Sequence, residues 1–390
     1  MPSHEEIVAS AASLVPSLRA RAAEAERLRR LPDANVAAAR EAGLLKVLQA
    51  RRYGGLQMSL HTHIDVIAEI ARGCGSTAWC MGVVHAHSWL VALFPEAAQE
   101  ESYGANPNAF ISAVIMPRGK ARPVKGGFAL SGFWPFASGC EHAQWLLLGA
   151  QILDEQGVVV DEADLLVPRS DIVIHDDWHV AGLRATGSCS ITAKETLVPR
   201  HRYLSLPGLI GGKTPDATKH EGHLYKSAAV PVLCLAITPA ALGIAEAALE
   251  AFIGRLPGRE IAYTDHVIQI ENATTHCQVA AAATKIRIAR LLLHQCASEI
   301  EAAAERGEMM EFAARARIRM DCAAAVRQCL DAVEILFLAC GGSGIAETNP
   351  VQRAWRDLHA INMHGALALE TNQEMYGRVL LGLKPNTALI

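Results

Sequence analysis

The sequence predicts an α+β protein whose helices and strands are segregated along the chain. Three observations predict it. Residues 1 to about 105 place apolar side chains at helical spacing; residues about 106 to 205 break into short apolar runs; the rest is Ala-rich and long-periodic.

The N-terminal region repeats Ile7, Leu14 and Leu18 among Ala, Arg and Glu. Asp33, following Pro32, reads as a helix N-cap, and Gly43 as a stop. A further helix is expected from Ser76 through His87 to about Phe94. The middle region carries AFISAVIM, GFALSG, WLLLGA, DLLVP, DIVIH and SITAKETLVP, separated by Gly, Pro and Asp. These are strands of a sheet or small barrel, and Gly126-Gly127 marks a turn between two of them. Residues 206–220 are loop-like, with three Gly and two Pro. Long helices are expected around 231–255, 260–305, 309–340 and 350–382. Val326, Leu330, Val333 and Phe337 form one apolar stripe that ends at Gly341-Gly342. Four long helices in succession suggest an antiparallel bundle. The expected divisions are 1–105 (helical), 106–220 (β) and 221–390 (four-helix bundle).

Composition narrows the function. The chain has 390 residues, of which 51% are hydrophobic and 19% charged, with net charge −4. Nothing in that balance favours nucleic acid. No apolar run is read as reaching the roughly 18 residues needed to span a bilayer, and the N-terminus does not read as a signal peptide. A soluble, cytoplasmic protein without a membrane partner is expected. The ten cysteines form no CxxC pair, and several sit in apolar surroundings. They read as small hydrophobes rather than disulfides, and no His/Cys cluster has metal-ligand spacing. No GxGxxG follows a strand, so no Rossmann-type nicotinamide site is expected.

Three segments resemble acyl-CoA dehydrogenase signatures: SGFWPFASGCEHAQWLLLGA (131–150), AGLRATGSCSITAKETLVPRHRYL (181–204) and ACGGSGIAETNPVQRAWRDLHAINMH (339–364). The resemblance implies that fold, with an N-terminal helical domain, a β-domain and a C-terminal four-helix bundle, as a homotetramer. The catalytic carboxylate of the dehydrogenases is missing. Its position after Arg356-Asp357 is Gly365, preceded by His364, and a second known position, near His223-Leu224-Tyr225-Lys226, has only Glu221 close by. Without such a base, proton abstraction has no catalyst. His87-Ser88-Trp89, Phe136-Ala137-Ser138-Gly139 and His364 instead resemble the two-component, reduced-flavin monooxygenases acting on p-hydroxyphenylacetate, secosteroid phenols and dibenzothiophene.

That resemblance implies reduced FMN or FADH2 delivered by a separate flavin reductase. O2 then adds at flavin C4a, and the resulting (hydro)peroxide hydroxylates an aromatic or polycyclic molecule. It assigns catalytic roles to His364 (donor to oxygen), Ser138 (flavin N5 side) and His87 (orienting or deprotonating a phenol). It places Trp134, Phe136, Ala137, Ser138, Arg184, Thr186, Ser188, Gly341, Gly342 and Gly344 at the flavin, and His87, Trp89 and Ser112 at the substrate. Bland readings stand beside these. Ser138 is also an ordinary turn serine, Trp134 and Phe136 also ordinary core residues, and His85 also a candidate for the role of His87. The alternatives are an acyl-CoA dehydrogenase-like flavin oxidoreductase and a helical scaffold without cofactor. Substrate and flavin type stay open.

Overall fold

The computed structural model describes residues 2–216, 219–265 and 268–390. Helices come first: α1 (His4–Ala20), α2 (Ala22–Leu28), α3 (Asp33–Glu41), α4 (Leu60–Gly73), α5 (Gly75–Val91) and α6 (Glu96–Tyr103). A capping box starts α1, in which Ser3 Oγ accepts from Glu6 N and the Glu6 carboxylate accepts from Ser3 N. Ile7 and Leu18 are buried on α1, and Leu14 is half-buried at the edge of the stripe. Asp33 does not cap α3. It is the first helical residue, behind Pro32, and its charge suits the helix N-terminus instead. Gly43 does follow the helix end, at φ 73°.

α5 matters most for function. All its residues from Gly75 to Val91 are buried. A helix enclosed on every side has no solvent face, so each of its polar side chains must find a protein partner.

Seven strands follow among the described residues: β1 (Ile111–Val124), β2 (Gly127–Trp134), β3 (Trp145–Leu153), β4 (Val159–Pro168), β5 (Val173–Ile174), β6 (Ile191–Pro199) and β7 (Tyr203–Ser205). They form one open sheet in the order β5-β6-β2-β1-β3-β4-β7. The β1–β2 hairpin turns at Gly126, and β1 pairs with β3 in parallel. A short helix, α7 (Leu206–Ile210), interrupts the segment expected to be loop. Ser205 caps it, accepting from Gly208 N, a signal hidden by the surrounding Gly and Pro. Residues 217–218 of that segment lie outside the described residues.

The C-terminal helices are α8 (Ala229–Ile237), α9 (Pro239–Gly254), α10 (Ala273–Glu305), α11 (Phe312–Ala339), α12 (Pro350–Asn362) and α13 (Leu369–Leu380). Of the long helices expected, the first divides where Pro239 opens α9. The second starts only at Ala273, capped by Asn272. The fourth breaks between Asn362 and Leu369, and that break carries His364. α11 packs against α9, α10, α12 and α13, and buries Val326, Leu330 and Val333. The reading of apolar runs needs one correction. Ala229–Gly254 is long and apolar enough to cross a membrane by length and composition, but 78% of that window is buried inside the protein. It comprises the two core helices α8 and α9, packed on α4, α5, α10 and α11.

Candidate active site

Trp79, on α5, begins a chain of hydroxyl groups. Its indole N–H donates to Ser138 Oγ at 3.1 Å. Ser138 Oγ lies 2.8 Å from Ser188 Oγ, and Ser188 Oγ 2.7 Å from Thr186 Oγ1. Thr186 Oγ1 donates to the Leu183 carbonyl at 2.9 Å. An indole N–H only donates and a carbonyl only accepts. The protons must therefore all run one way, from Ser138 to Ser188 to Thr186 to Leu183. Ser138 has spent its proton, and towards a ligand it offers only a lone pair.

The two loops of this chain are tied by backbone bonds, Ala137 N to Cys189 O and Gly139 N to Thr186 O. Leu183 sits at φ 51° and Phe136 at φ 69°, both strained for non-glycine residues. Asp357 holds the first of these, accepting from Leu183 N at 2.6 Å, and burial pushes its carboxyl up to about 6. A Cβ on Gly182 would lie 2.1 Å from the Arg356 carbonyl, so α12 grips this loop closely. Arg356 and Arg353 are in turn paired with Glu26. Phe136 is 67% exposed, with its ring edge-on to Trp178 at 6.0 Å. Arg184 is half-buried, with an enclosed Nε that has no hydrogen-bond partner among the described residues.

His364 faces the same Trp79, its ring edge-on at 5.4 Å. It is solvent-accessible yet set deep among protein atoms. Those surroundings first, and then the charge of Arg319, hold its imidazole down at about 4. Its Nδ1 accepts from Ala366 N at 3.3 Å. The proton of the neutral ring is therefore on Nε2, which is a donor.

His87 is 6% exposed, and its Nδ1 donates to Ile111 O at 2.8 Å. Burial holds its pKa at about 4, so in the neutral ring Nε2 is an acceptor. His85 is spent elsewhere. Its nitrogens contact His63 Nδ1 and Leu44 O in the helix core, and the ring has no exposed surface. Of the two histidines, His87 is the one left with a nitrogen unpaired among the described residues.

Several expected site residues need correcting. Trp134 has no exposed surface; its N–H donates to Gly149 O, and its ring fills the space over Gly119 and Gly132, where added Cβ atoms would lie 2.3 and 2.7 Å from it. It is a core residue of the sheet and cannot wall a ligand. Trp89 is likewise enclosed, donating to Leu224 O, so it is no substrate wall. Ser112 is fully buried and donates to Ser138 O at 2.8 Å, supporting the Ser138 turn rather than meeting substrate. The Ala137 side chain is also enclosed. Gly341, Gly342 and Gly344 lie in the turn after α11, and among the described residues no hydrogen bond, ion pair or ring contact joins that turn to the Ser138 chain. A cleft of about 200 Å³ near Cys74, Gly75 and Asp357 does not include Ser138, Phe136 or His364 among its lining residues, and is smaller than a typical ligand pocket.

Residues 1–106 match the acyl-CoA dehydrogenase N-terminal domain, and residues 235–368 the acyl-CoA dehydrogenase C-terminal domain. The oxygenase subunit of a flavin-dependent monooxygenase from Rhodococcus jostii is 33% identical over 371 residues, 95% of this chain and 97% of its own length. The chain belongs to the flavin-dependent monooxygenases of the acyl-CoA dehydrogenase fold. This oxygenase is also 34% identical to the oxygenase component of an FADH2-dependent resorcinol hydroxylase from a Rhizobium species, over 98% of this chain and 95% of that one. Its structure superposes on XiaF from Streptomyces, solved with FADH2 and glycerol, with a TM-score of 0.92 and 31% identity over 98% of this chain and 97% of the other.

The exposed Phe136 and the orphaned Arg184 Nε fit a flat, polar-edged cofactor such as a flavin. Trp79 escaped the sequence reading. It looks like any apolar residue of a buried helix, and only its contacts with both Ser138 and His364 mark it. Asp357 served in that reading as a landmark; its bond to Leu183 N gives it a task.

Proposed function

We propose that this oxygenase takes reduced flavin, FADH2 or reduced FMN, from a separate reductase in the cytoplasm and uses it with O2 to hydroxylate an aromatic or polycyclic molecule. When bound, the flavin supplies two electrons and activates O2. One observation carries the reading: on either side of Trp79 the site offers a ligand a hydroxyl left only with a lone pair, Ser138, and an imidazole left only with a proton, His364. Reduced flavin carries an N5–H that oxidised flavin lacks, and Ser138 is matched to a donor. The His364 Nε2–H is matched to a reacting oxygen, and the free His87 nitrogen to the hydroxyl of a phenol. Arg184, Thr186 and Ser188 hold the flavin edge or its loop, with Phe136 against the ring. The 341–344 turn serves the flavin tail of a neighbouring subunit in a homotetramer. The exposed Leu338, Ile345, Met363 and Leu381 support such an assembly.

A dehydrogenase would need a carboxylate at the site. Asp357 is committed to Leu183, and no carboxylate bonds to His364 or Ser138 among the described residues. Anaerobic titration of the purified chain with reduced and oxidised FAD and FMN tests the reading. Binding of a reduced flavin at least about tenfold tighter than its oxidised form is expected, the worth of one well-placed hydrogen bond. Equal or tighter binding of oxidised FAD would send the function back to the dehydrogenases.

A further inference from the structure

Arg319, on α11, is a buried cation that no acid neutralises. It is 5% exposed. Its Nε donates to Asn372 Oδ1 at 2.8 Å, and its Nη1 donates to the Leu389 carbonyl. Both acceptors are neutral. Arg317, two residues away, has Glu299 and Asp321 as ion-pair partners; Arg319 has none among the described residues. Burying an unpaired charge is costly, so a cation kept this way needs a reason.

The contacts beyond it supply one. Asn372 has no exposed surface, and its Nδ2 donates to Ala366 O at 3.1 Å and to Ala368 O at 2.7 Å. Those carbonyls belong to the turn between α12 and α13. In that turn the His364 carbonyl accepts from Leu367 N at 2.7 Å and Ala368 N at 2.9 Å, and Ala366 N donates to the ring itself. Arg319 grips Asn372, and Asn372 grips the turn. The His364 ring itself lies edge-on to Trp79.

We propose that Arg319 and Asn372 are positioning residues for His364: they fix the 363–368 turn and keep a positive charge bonded to that turn through Asn372, so that the ring meets the site in one orientation and one tautomer. The proposal rests on the reading of His364 as the donor of the oxygenase. Among the described residues, a second cation lies near this region: Arg315, also on α11, donates to the Ile390 carbonyl beside Leu389, but the charge that bears on His364 is Arg319. Trp79, from α5, is uncharged, and Asn372, from α13, is neutral. Cys234, from α8, also feels Arg319, but burial pushes its thiol up to about 11, so it stays protonated. Arg319 is therefore the charge that acts on His364, and it opposes a second positive charge on the ring. A neutral imidazole held by the Ala366 amide on one nitrogen keeps its proton on the other.

Histidine titration by NMR, on the flavin-free protein with labelled histidine, tests this without turnover. His364→Gln identifies the resonance. In Arg319→Gln the His364 midpoint is expected to rise by about one pH unit, the scale of a lost neighbouring charge, whereas Arg319→Lys keeps it near the parent value. In Asn372→Ala the nitrogen shifts of the ring are expected to change from one tautomer towards a mixture. An unchanged midpoint in folded Arg319→Gln would overturn the electrostatic part, and an unchanged tautomer in Asn372→Ala the positioning part. If Arg319→Gln does not fold, a raised midpoint in Arg319→Lys overturns the electrostatic part on its own. Because no flavin or oxygen is involved, these failures leave the oxygenase reading standing, and loss of that reading would leave the titrations as expected.

Discussion

The two walls of the site are built on opposite plans. On the sheet side, Trp79, Ser138, Ser188 and Thr186 bond to one another and to Leu183 O, and every hydroxyl proton is used. On the bundle side, His364 has one long bond to its ring and, among the described residues, an Nε2–H with no partner. The first wall is finished before any ligand arrives and presents a lone pair. The second is left open and presents a proton. A closed network fixes geometry, while an unspent donor is available for chemistry. On the function proposed above, the first wall would hold the cofactor and the second would act on oxygen, and each wall should fail in its own way.

The largest effect is expected from His364→Ala. Product formation should fall about 100-fold, as for loss of a general acid, while reduced-flavin affinity stays near the parent value. Rapid mixing with O2 and assay of product against hydrogen peroxide checks both. An equal fall in affinity would erase the contrast between the walls. Next comes Asp357→Ala, which frees Leu183 N and leaves a strained φ unsupported. A loss of roughly 2–4 kcal/mol in unfolding free energy is expected, read from the denaturant midpoint.

A smaller effect, about tenfold, is expected from Thr186→Val on the ratio of oxidised to reduced flavin affinity. Without the Thr186 hydroxyl the proton order is no longer forced, Ser138 can donate, and the preference for reduced flavin should weaken. An unchanged ratio would mean the chain's direction does not matter. Trp134→Phe should cost about 1 kcal/mol, from its lost bond to Gly149 O, and leave flavin affinity untouched. A changed affinity would return Trp134 to the site.

The acid side of stability sharpens the comparison last. His364 and His87 are both held at about 4 in the folded protein, below an ordinary histidine. A depressed histidine contributes stability that is fully present above the unfolded value near 6.5 and is lost as pH falls from there through about 4. Burial raises Asp164 to about 8 and Asp357 to about 6, and these act with the opposite sign, losing stability as pH rises. Both carboxyls are common to parent and variant. The parent should therefore lose stability relative to His364→Gln as pH drops from 6.5 to 4, read as thermal midpoints. A constant difference would mean that the histidine is not depressed.

Much of this was legible in the sequence. Helical periodicity, Gly and Pro punctuation and Ala-rich length are local signals, and they predict the helix–sheet–bundle order. Ser138, His364 and His87 were reachable because short segments around them resemble a known branch. What the sequence hid is relational. Trp134 and Trp89 sit in site-like motifs, and only packing reveals that their rings are enclosed. The direction of the hydroxyl chain depends on a carbonyl, Leu183 O, that carries no side-chain signal. Arg319 lies 45 positions before His364, and its lack of an acidic partner appears only in three dimensions. The break after Asn362 interrupts a stretch that composition presents as one helix.

The most direct test of the central claim is isotopic. The oxygenase is loaded with reduced flavin, mixed with ¹⁸O2 and a phenol, and the product is weighed by mass spectrometry. The account predicts one ¹⁸O atom in a hydroxylated product from the parent protein, replaced by hydrogen peroxide in His364→Ala. Absence of labelled product across a panel of phenols and polycyclic substrates, with oxidation of an acyl thioester in its place, would contradict it.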